Sequence, residues 1–141
     1  MKRLLLLLII FLLPFAIRAQ TIRAEDRYGE KLYNVEGNVL KAEDRYGEVL
    51  VYFEEQQLKR GSRYGETLYF LDENTLKTES RYGDALLYFD GFSIRARERY
   101  GDRLYFLDGQ TLRRGDRYGE KLLWFEGIPE KWVLAAVLLF R

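Results

Sequence analysis

The residues of this chain that could do chemistry recur at one fixed spacing, in the tripeptide Arg-Tyr-Gly. Its six copies begin at Arg27, Arg45, Arg63, Arg81, Arg99 and Arg117, always 18 residues apart. Each copy sets a guanidinium, which can hold phosphate or carboxylate groups, beside a phenol ring that can stack on a sugar. Because a fixed period is typical of repeat architectures, we expect these side chains to recur around one structure.

The sequence contains few of the residues on which enzymatic catalysis usually depends. The chain contains no histidine and no cysteine, which excludes serine–histidine and cysteine–histidine nucleophilic sites and the usual zinc sites. Carboxylates are abundant but periodic, whereas a catalytic pair is normally unique, with two different environments. Calcium needs several oxygens converging on one point, and no Asp-x-Asp-x-Asp spacing occurs. We therefore predict no enzymatic activity, no catalytic residue, no cofactor and no metal site.

The predicted ligand site is instead a rim formed by the repeated arginines and tyrosines. The arginines could capture an anionic headgroup or acidic glycan, or each could pair with the acidic residue at its own turn as a weak surface ion pair. The tyrosines could stack on sugars, or each ring could fold back over its own hairpin. The twelve candidates are Arg27, Arg45, Arg63, Arg81, Arg99, Arg117, Tyr28, Tyr46, Tyr64, Tyr82, Tyr100 and Tyr118.

The elements that must position this rim follow from the repeat itself. With Thr111 to Ile128 numbered 1 to 18, position 2 is always Leu or Ile, positions 7–9 are Arg-Tyr-Gly, position 10 is acidic and position 12 is always Leu. The flank Asp-Arg-Tyr-Gly-Glu suits a three-residue hairpin loop, with a type I turn closed by a left-handed glycine. A second turn, such as Asp90-Gly91, ends each unit. Each unit is thus one β-hairpin, and residues 20–128 give about twelve antiparallel strands.

The second strand of each unit is apolar on both faces, and one face alternates along the chain. At positions 13 and 15, units one, three and five carry Tyr followed by a smaller residue, as in Tyr33 and Val35. Units two, four and six carry a smaller residue followed by Phe, as in Leu87 and Phe89. The structural period is therefore 36 residues, which favours interdigitation of large and small side chains between neighbouring hairpins.

The C-terminal segment, residues 129–141, predicts how the strands are arranged. Nine apolar residues follow Pro129-Glu130-Lys131, so a helix here would be buried on every side and about 14 Å long. A barrel of twelve six-residue strands tilted by about 40° would stand about 15 Å tall, which matches that helix. We predict a closed barrel around the helix, with the position-12 leucines facing it. A thirteenth strand and an exposed docking tail are the alternatives.

The N-terminal segment predicts export. Residues 1–19 combine a short basic start, an apolar run from Leu4 to Ile17 and Ala19 at the expected cut, as in a secretory signal peptide. A retained anchor is the alternative, although the run is short of the ~20 residues of a membrane span. Cleavage removes three basic residues and leaves 20 basic and 22 acidic ones. This slight excess of acidic residues argues against nucleic acid as a binding partner. The mature chain, which is predicted to have no transmembrane segment, would be periplasmic or extracellular.

The six Arg-Tyr-Gly turns, the Asp-Gly and Glu-Gly returns and Trp132–Phe140 carry a resemblance to known proteins. Over residues 20–141 the chain resembles the bacterial β-flower proteins, shallow symmetric barrels with hairpin petals that have been likened to the Tubby C-terminal domain. The resemblance implies a non-catalytic barrel, and its Tubby side suggests an apolar or lipid ligand at the barrel mouth. The alternative function is a glycan or cell-wall binding repeat, open rather than closed, as in choline-binding modules built from aromatic hairpins.

Overall fold

The computed structural model describes residues 19–140, with side chains from Gln20 onward, so the predicted signal peptide lies outside the described residues except at Ala19. These residues form twelve antiparallel strands and one helix, as predicted. The strands are β1 (Ala19–Ala24), β2 (Lys31–Glu36), β3 (Val39–Ala42), β4 (Val49–Glu54), β5 (Gln57–Arg60), β6 (Thr67–Asp72), β7 (Thr75–Thr78), β8 (Ala85–Asp90), β9 (Ser93–Ala96), β10 (Arg103–Asp108), β11 (Thr111–Arg114) and β12 (Lys121–Phe125), and the helix is α1 (Lys131–Leu139).

The strands close into a barrel in which each pairs with its two sequence neighbours and β1 pairs with β12. The closing register sets Ile22 opposite Phe125 and Arg23 opposite Trp124. Closure confirms the predicted fold class and leaves no free sheet edge. The open arrangement that accompanied the alternative glycan-binding function is therefore wrong, although its ligand class is a separate question.

Two kinds of connection alternate around the barrel. Two-residue return turns join the strands at one end, for example Glu55 and Gln56 between β4 and β5. Six-residue connections, which we call petals 1 to 6, join them at the other end. The petals are residues 25–30, 43–48, 61–66, 79–84, 97–102 and 115–120. Each Arg-Tyr-Gly therefore lies in a longer connection than the three-residue loop that the sequence predicts.

The invariant leucine of position 12 is a β-bulge residue. Leu122 is buried in the core and Leu32, Leu50 and Leu86 pack partly buried against it, so the inward ring predicted at this position is only partly formed. In β3 and β4, for instance, Leu40 pairs with Val51 and Lys41 pairs with Val49, so Leu50 is left over. The same register shift occurs in all six petal-side strand pairs. Because a bulge increases the local twist, six of them help to curve the sheet into a narrow barrel. The carbonyl of Leu50 accepts a hydrogen bond from the backbone of Gly61 in the next petal, at 3.1 Å.

The fully buried ring comes from position 2. Its six members are 0–2% exposed: Ile22, Leu40, Leu58, Leu76, Ile94 and Leu112. The alternating pairs of positions 13 and 15 face the same interior, where Phe89 and Phe125 are buried. Tyr33, Tyr69 and Tyr105 pack half-buried against this core. The 36-residue period thus places the phenylalanines of the even units near the return turns and the tyrosines of the odd units near the petals.

Helix α1 occupies the barrel interior, as predicted. Its residues Trp132 to Val137 are buried on all sides and belong to one core cluster with inward residues of all twelve strands. The Trp132 ring stacks on Phe53 with centroids 5.3 Å apart and planes 4° from parallel. Lys131 Nζ donates to Asn74 Oδ1 at 2.5 Å, which places the start of the helix beside a return turn. The helix therefore runs toward the petals.

Candidate functional site

Each petal holds its Arg and Tyr on a hydrogen-bonded turn. In petal 1 the backbone N–H of Gly29 donates to Asp26 O at 3.0 Å, and the N–H of Tyr28 donates to Asp26 Oδ1 at 2.9 Å. The petal base is closed by Ala24 N donating to Glu30 O at 2.9 Å. This geometry confirms a β-turn with a side-chain oxygen at its first residue. Arg27 and Tyr28 occupy the two central positions of that turn.

The glycine of the motif is required for space rather than for a left-handed backbone, so the predicted reason is wrong. A Cβ at Gly29 would lie 1.7 Å from Ala24 O, and the motif glycines of the other petals meet the equivalent carbonyl at 1.6–1.8 Å. The left-handed residue is four places earlier, at Glu25 (φ 60°) in petal 1 and Gly61 (φ 74°) in petal 3. Because the petal folds back on its own base, only a residue without a side chain fits at the motif glycine.

Basic residues of position 3 hold the petals from the outer wall of the barrel. Lys41 Nζ donates to Arg45 O at 3.0 Å and lies 3.4 Å from Glu36 Oε2. Where position 3 is arginine, as at Arg113, the guanidinium reaches the carbonyl of the motif glycine instead, at 3.1 Å. These charged contacts fix where each petal leaves the wall, and they leave the tip residues in solvent.

The six motif tyrosines are exposed, contrary to the alternative in which each ring folds over its hairpin. Their side chains have relative exposures of 79–90%. In petals 1, 2, 3 and 5 the neighbouring arginine lies over the ring, with guanidinium-to-centroid distances of 4.9–5.8 Å. In petal 4, Arg81 lies 5.7 Å from the ring of Phe70 instead. All six rings are therefore accessible to solvent or to a ligand at the petal end of the barrel.

The motif arginines do not pair with the acids of position 10, so the predicted ion-pair alternative is wrong. Of the six motif arginines, all of which lie within residues 19–140, only Arg63 forms an ion pair; its partner is Glu54 of the preceding unit, at 3.1 Å. The position-10 acids Glu66 and Glu120 pair instead with Arg60 and Arg114. Cation–π stacking on the adjacent tyrosine is the commoner arrangement for the motif arginines.

The petal loops carry more acidic than basic residues. The six petals together carry seven arginines and thirteen carboxylates, a net charge of −6. The arginines are thus outnumbered almost two to one where they meet solvent. This count covers the loops alone, and basic residues of the adjoining strands also contact the petals, among them Lys41 and Arg113.

Neither a metal site nor a membrane helix appears in the described part of the chain. Between residues 19 and 140 no three carboxylates come close enough to hold a metal ion. None of the helical segments in that range has the length and apolar character to cross a membrane.

Sequence reasoning found the tip residues but missed one feature of this end, a groove of about 940 Å³ between petals 4 and 5. Its signal in the sequence is a departure from the repeat. Arg97 is the one basic residue at a position that holds Glu or Gly in the other units, and Ala85 stands where three units carry Lys or Arg.

The closed hairpin-repeat barrel, its internal helix and its six outward petals define a class of flower-shaped β-barrels. Within this class the chain belongs to the 6-fold beta flower protein family, whose model matches residues 22–127. This assignment confirms the resemblance read from the turns and the tail. Comparisons with curated proteins and with solved structures gave no match.

Proposed function

We propose that this chain is an exported, non-catalytic binding protein that holds a glycan on its petals. The observation that carries the proposal is the exposure of the six motif tyrosines, 79–90%, on a framework that fixes their spacing. Tyrosine offers a flat apolar face and a hydroxyl at low entropic cost, which suits it to bind a sugar ring. Unpaired carboxylates beside the rings, such as Glu30 and Glu48, supply acceptors for sugar hydroxyls.

Two features favour a glycan over the apolar or anionic ligand. The interior is filled by α1, whose residues Val133 to Val137 are 0–5% exposed, and this leaves no lumen for an apolar molecule. Within the petal loops thirteen carboxylates surround seven arginines, which favours a ligand rich in hydroxyl groups. The half-buried end of the helix, Leu138 to Phe140, lies at the petal end and could support only a small apolar contact.

Export and the absence of catalysis complete the proposal. The charged start and apolar run of residues 1–17 support export. Sixfold repetition of the polar groups, without histidine or cysteine, supports binding rather than turnover. Cleavage of the signal peptide is tested by measuring the mass of the protein recovered from outside the inner membrane. A chain starting at Gln20 is the expected result, and an intact chain in the membrane fraction would favour the retained anchor.

The ligand is tested by affinity electrophoresis of residues 20–141, which contain the helix and all of the strands apart from Ala19. Soluble glucan, mannan, chitosan and polygalacturonate are cast separately into native gels, and retardation is measured. We expect retardation by at least one neutral or amino-bearing polysaccharide. A variant with Tyr28, Tyr64 and Tyr100 changed to Ser should bind about tenfold or more weakly, which corresponds to ~1.4 kcal/mol.

The matched control removes exposed apolar side chains from the opposite end of the barrel. Phe92 lies in a return turn and Ile128 follows β12, and they are 67% and 76% exposed. Changing both to Ser should leave retardation unchanged. Equal binding by the parent and the tyrosine variant would refute the petals as the glycan site.

A further inference from the structure

The six spaces between neighbouring petals differ in their side chains, and the space between petals 4 and 5 forms a groove. The groove between petals 4 and 5 has a volume of about 940 Å³ and is lined by Asp84, Ala85 and Leu86 on one side and by petal 5 on the other. We propose that this groove, which we call groove 4/5, is the primary subsite for one amino-bearing sugar unit. This inference rests on the proposed glycan-binding function.

The groove is open because two repeat positions are alanine at once. Ala85 takes position 11, where the units flanking other grooves carry longer side chains, among them Lys31 and Lys121. Ala96 takes position 4, where two units carry arginine. In those two units Arg60 and Arg114 reach across to the position-10 glutamate, at 3.9 and 3.4 Å. Only between petals 4 and 5 are both positions alanine.

The same substitutions leave charged groups unpaired. Asp84, Glu98 and Asp102 line the groove, and Arg97 lies among them. Within residues 19–140 none of these four side chains forms an ion pair or a side-chain hydrogen bond. Position 10 is aspartate on both walls, which is one methylene shorter than the glutamate of the other four units. The lining residues carry three carboxylates and one guanidinium, a net charge of −2, and the guanidinium of Arg99 lies beside Tyr100.

An aromatic ring and an apolar floor complete the site. Tyr100 lines the groove and is 84% exposed, and the guanidinium of Arg99 lies 5.7 Å from its ring centroid. Leu86 is half-buried beneath it. A sugar ring has an apolar face that can lie against Tyr100 and a polar edge that meets the carboxylates. An ammonium group on that edge matches the charge of −2, and a carboxylate does not.

The experiment measures binding of three oligosaccharide probes to residues 20–141 by titration calorimetry. The probes are the β-1,4-linked hexamers of glucosamine and of N-acetylglucosamine, and the α-1,4-linked hexamer of galacturonic acid. We expect the free-amine hexamer to bind most tightly, the N-acetylated one more weakly, and the acidic one not to bind. A preference for galacturonate would overturn the proposal, as would no binding of any hexamer.

The discriminating variant is Ala85→Lys, which introduces the residue that two other units carry at this position and therefore suits the fold. It places a long cation in groove 4/5 and should weaken binding of the glucosamine hexamer by about tenfold or more. The matched control is Val49→Lys, the same change between petals 2 and 3, which should bind like the parent. Thermal melting of both variants within a few degrees of the parent verifies folding.

Two results separate this inference from the proposed function. If Ala85→Lys binds as the parent does while the tyrosine variant loses binding, the petals hold the glycan elsewhere and groove 4/5 is not the subsite. If Ala85→Lys and Val49→Lys weaken binding equally, added charge acts through the whole petal ring, and the assignment to one groove is overturned.

Discussion

Removing helix α1 should unfold the barrel rather than trim it. The perturbation is a chain that ends at Lys131 and so lacks residues 132–140 and the terminal arginine. In the structure Val133, Leu134 and Val137 are 0–5% exposed, and Trp132 is 3% exposed and stacked on Phe53. Burial of each such side chain contributes roughly 1.5–3 kcal/mol. The four together therefore contribute about 6–12 kcal/mol.

That contribution equals most of the stability of a domain of this size, which is typically 5–15 kcal/mol. The loss would be compounded on the barrel side, because the position-2 ring, from Ile22 to Leu112, would face an empty interior. Cavities of this kind add to the cost of the missing contacts. We therefore expect the truncated chain to be unfolded or aggregated without denaturant.

The assay is urea unfolding followed by far-UV circular dichroism, because the truncation removes one of two tryptophans and alters fluorescence. Leu134→Ala gives the graded version and should lower the free energy of unfolding by 2–5 kcal/mol, the range for buried leucines. Ile128→Ala, at a residue 76% exposed, is the matched control and should change it by less than about 0.5 kcal/mol. A truncated chain that is monomeric and has the parent's urea midpoint would refute the reasoning.

Three smaller predictions use the same unfolding assay. Gly83→Ala places a Cβ 1.8 Å from Thr78 O and should lower the free energy of unfolding by about 3 kcal/mol or more. At Gly109 a Cβ meets nothing within 4 Å, so Gly109→Ala should lower it by only about 1 kcal/mol, because of the φ of 63°. Equal losses in the two variants would contradict the packing argument. Glu73→Gly should stabilise the chain by up to about 1 kcal/mol because Glu73 has a φ of 54°, and Glu73→Gln, which keeps that strain, should not. Asn34→Tyr should stabilise the chain by about 1 kcal/mol. Asn34 Oδ1 is buried without a hydrogen-bond partner, and the other units carry an aromatic ring at this position. Destabilisation would show that the barrel cannot accommodate a ring here.

The fold could be predicted from the sequence because its signals are local and repeated. A six-residue apolar strand, a glycine turn and an 18-residue step specify hairpins, and the apolar run after Lys131 has few places to go other than an interior. What could not be predicted is the hydrogen-bond register. Whether Leu50 pairs with a residue of β3 or is left over in a bulge depends on which residue lies opposite, and turn chemistry alone does not fix that pairing.

The residues of the candidate site could be predicted from the sequence, but the contacts that they make could not. The spacing identified Arg27 and its five equivalents, but an arginine's partner depends on side chains from neighbouring units that converge only after closure. Arg81, for example, meets Phe70 from the preceding unit rather than its own tyrosine. The role of the motif glycine was not predicted for a similar reason. A Cβ at Gly29 would lie 1.7 Å from Ala24 O, and that distance depends on how the petal folds rather than on a local backbone propensity.

In a repeat protein some positions maintain the fold and others are free to vary at the surface. In this barrel the two sets of positions can be told apart. The positions that the fold cannot vary are those with one geometric solution: the buried position-2 residue, the bulged leucine and the motif glycine that touches a carbonyl. Positions 4, 5 and 11 line the spaces between petals and contribute little to the core, so they can differ without loss of closure. Ala85, Ala96 and Arg97 fall at these three positions. A side chain that departs from the repeat there costs the fold little, and this freedom is what allows one of six equivalent grooves to become different from the rest.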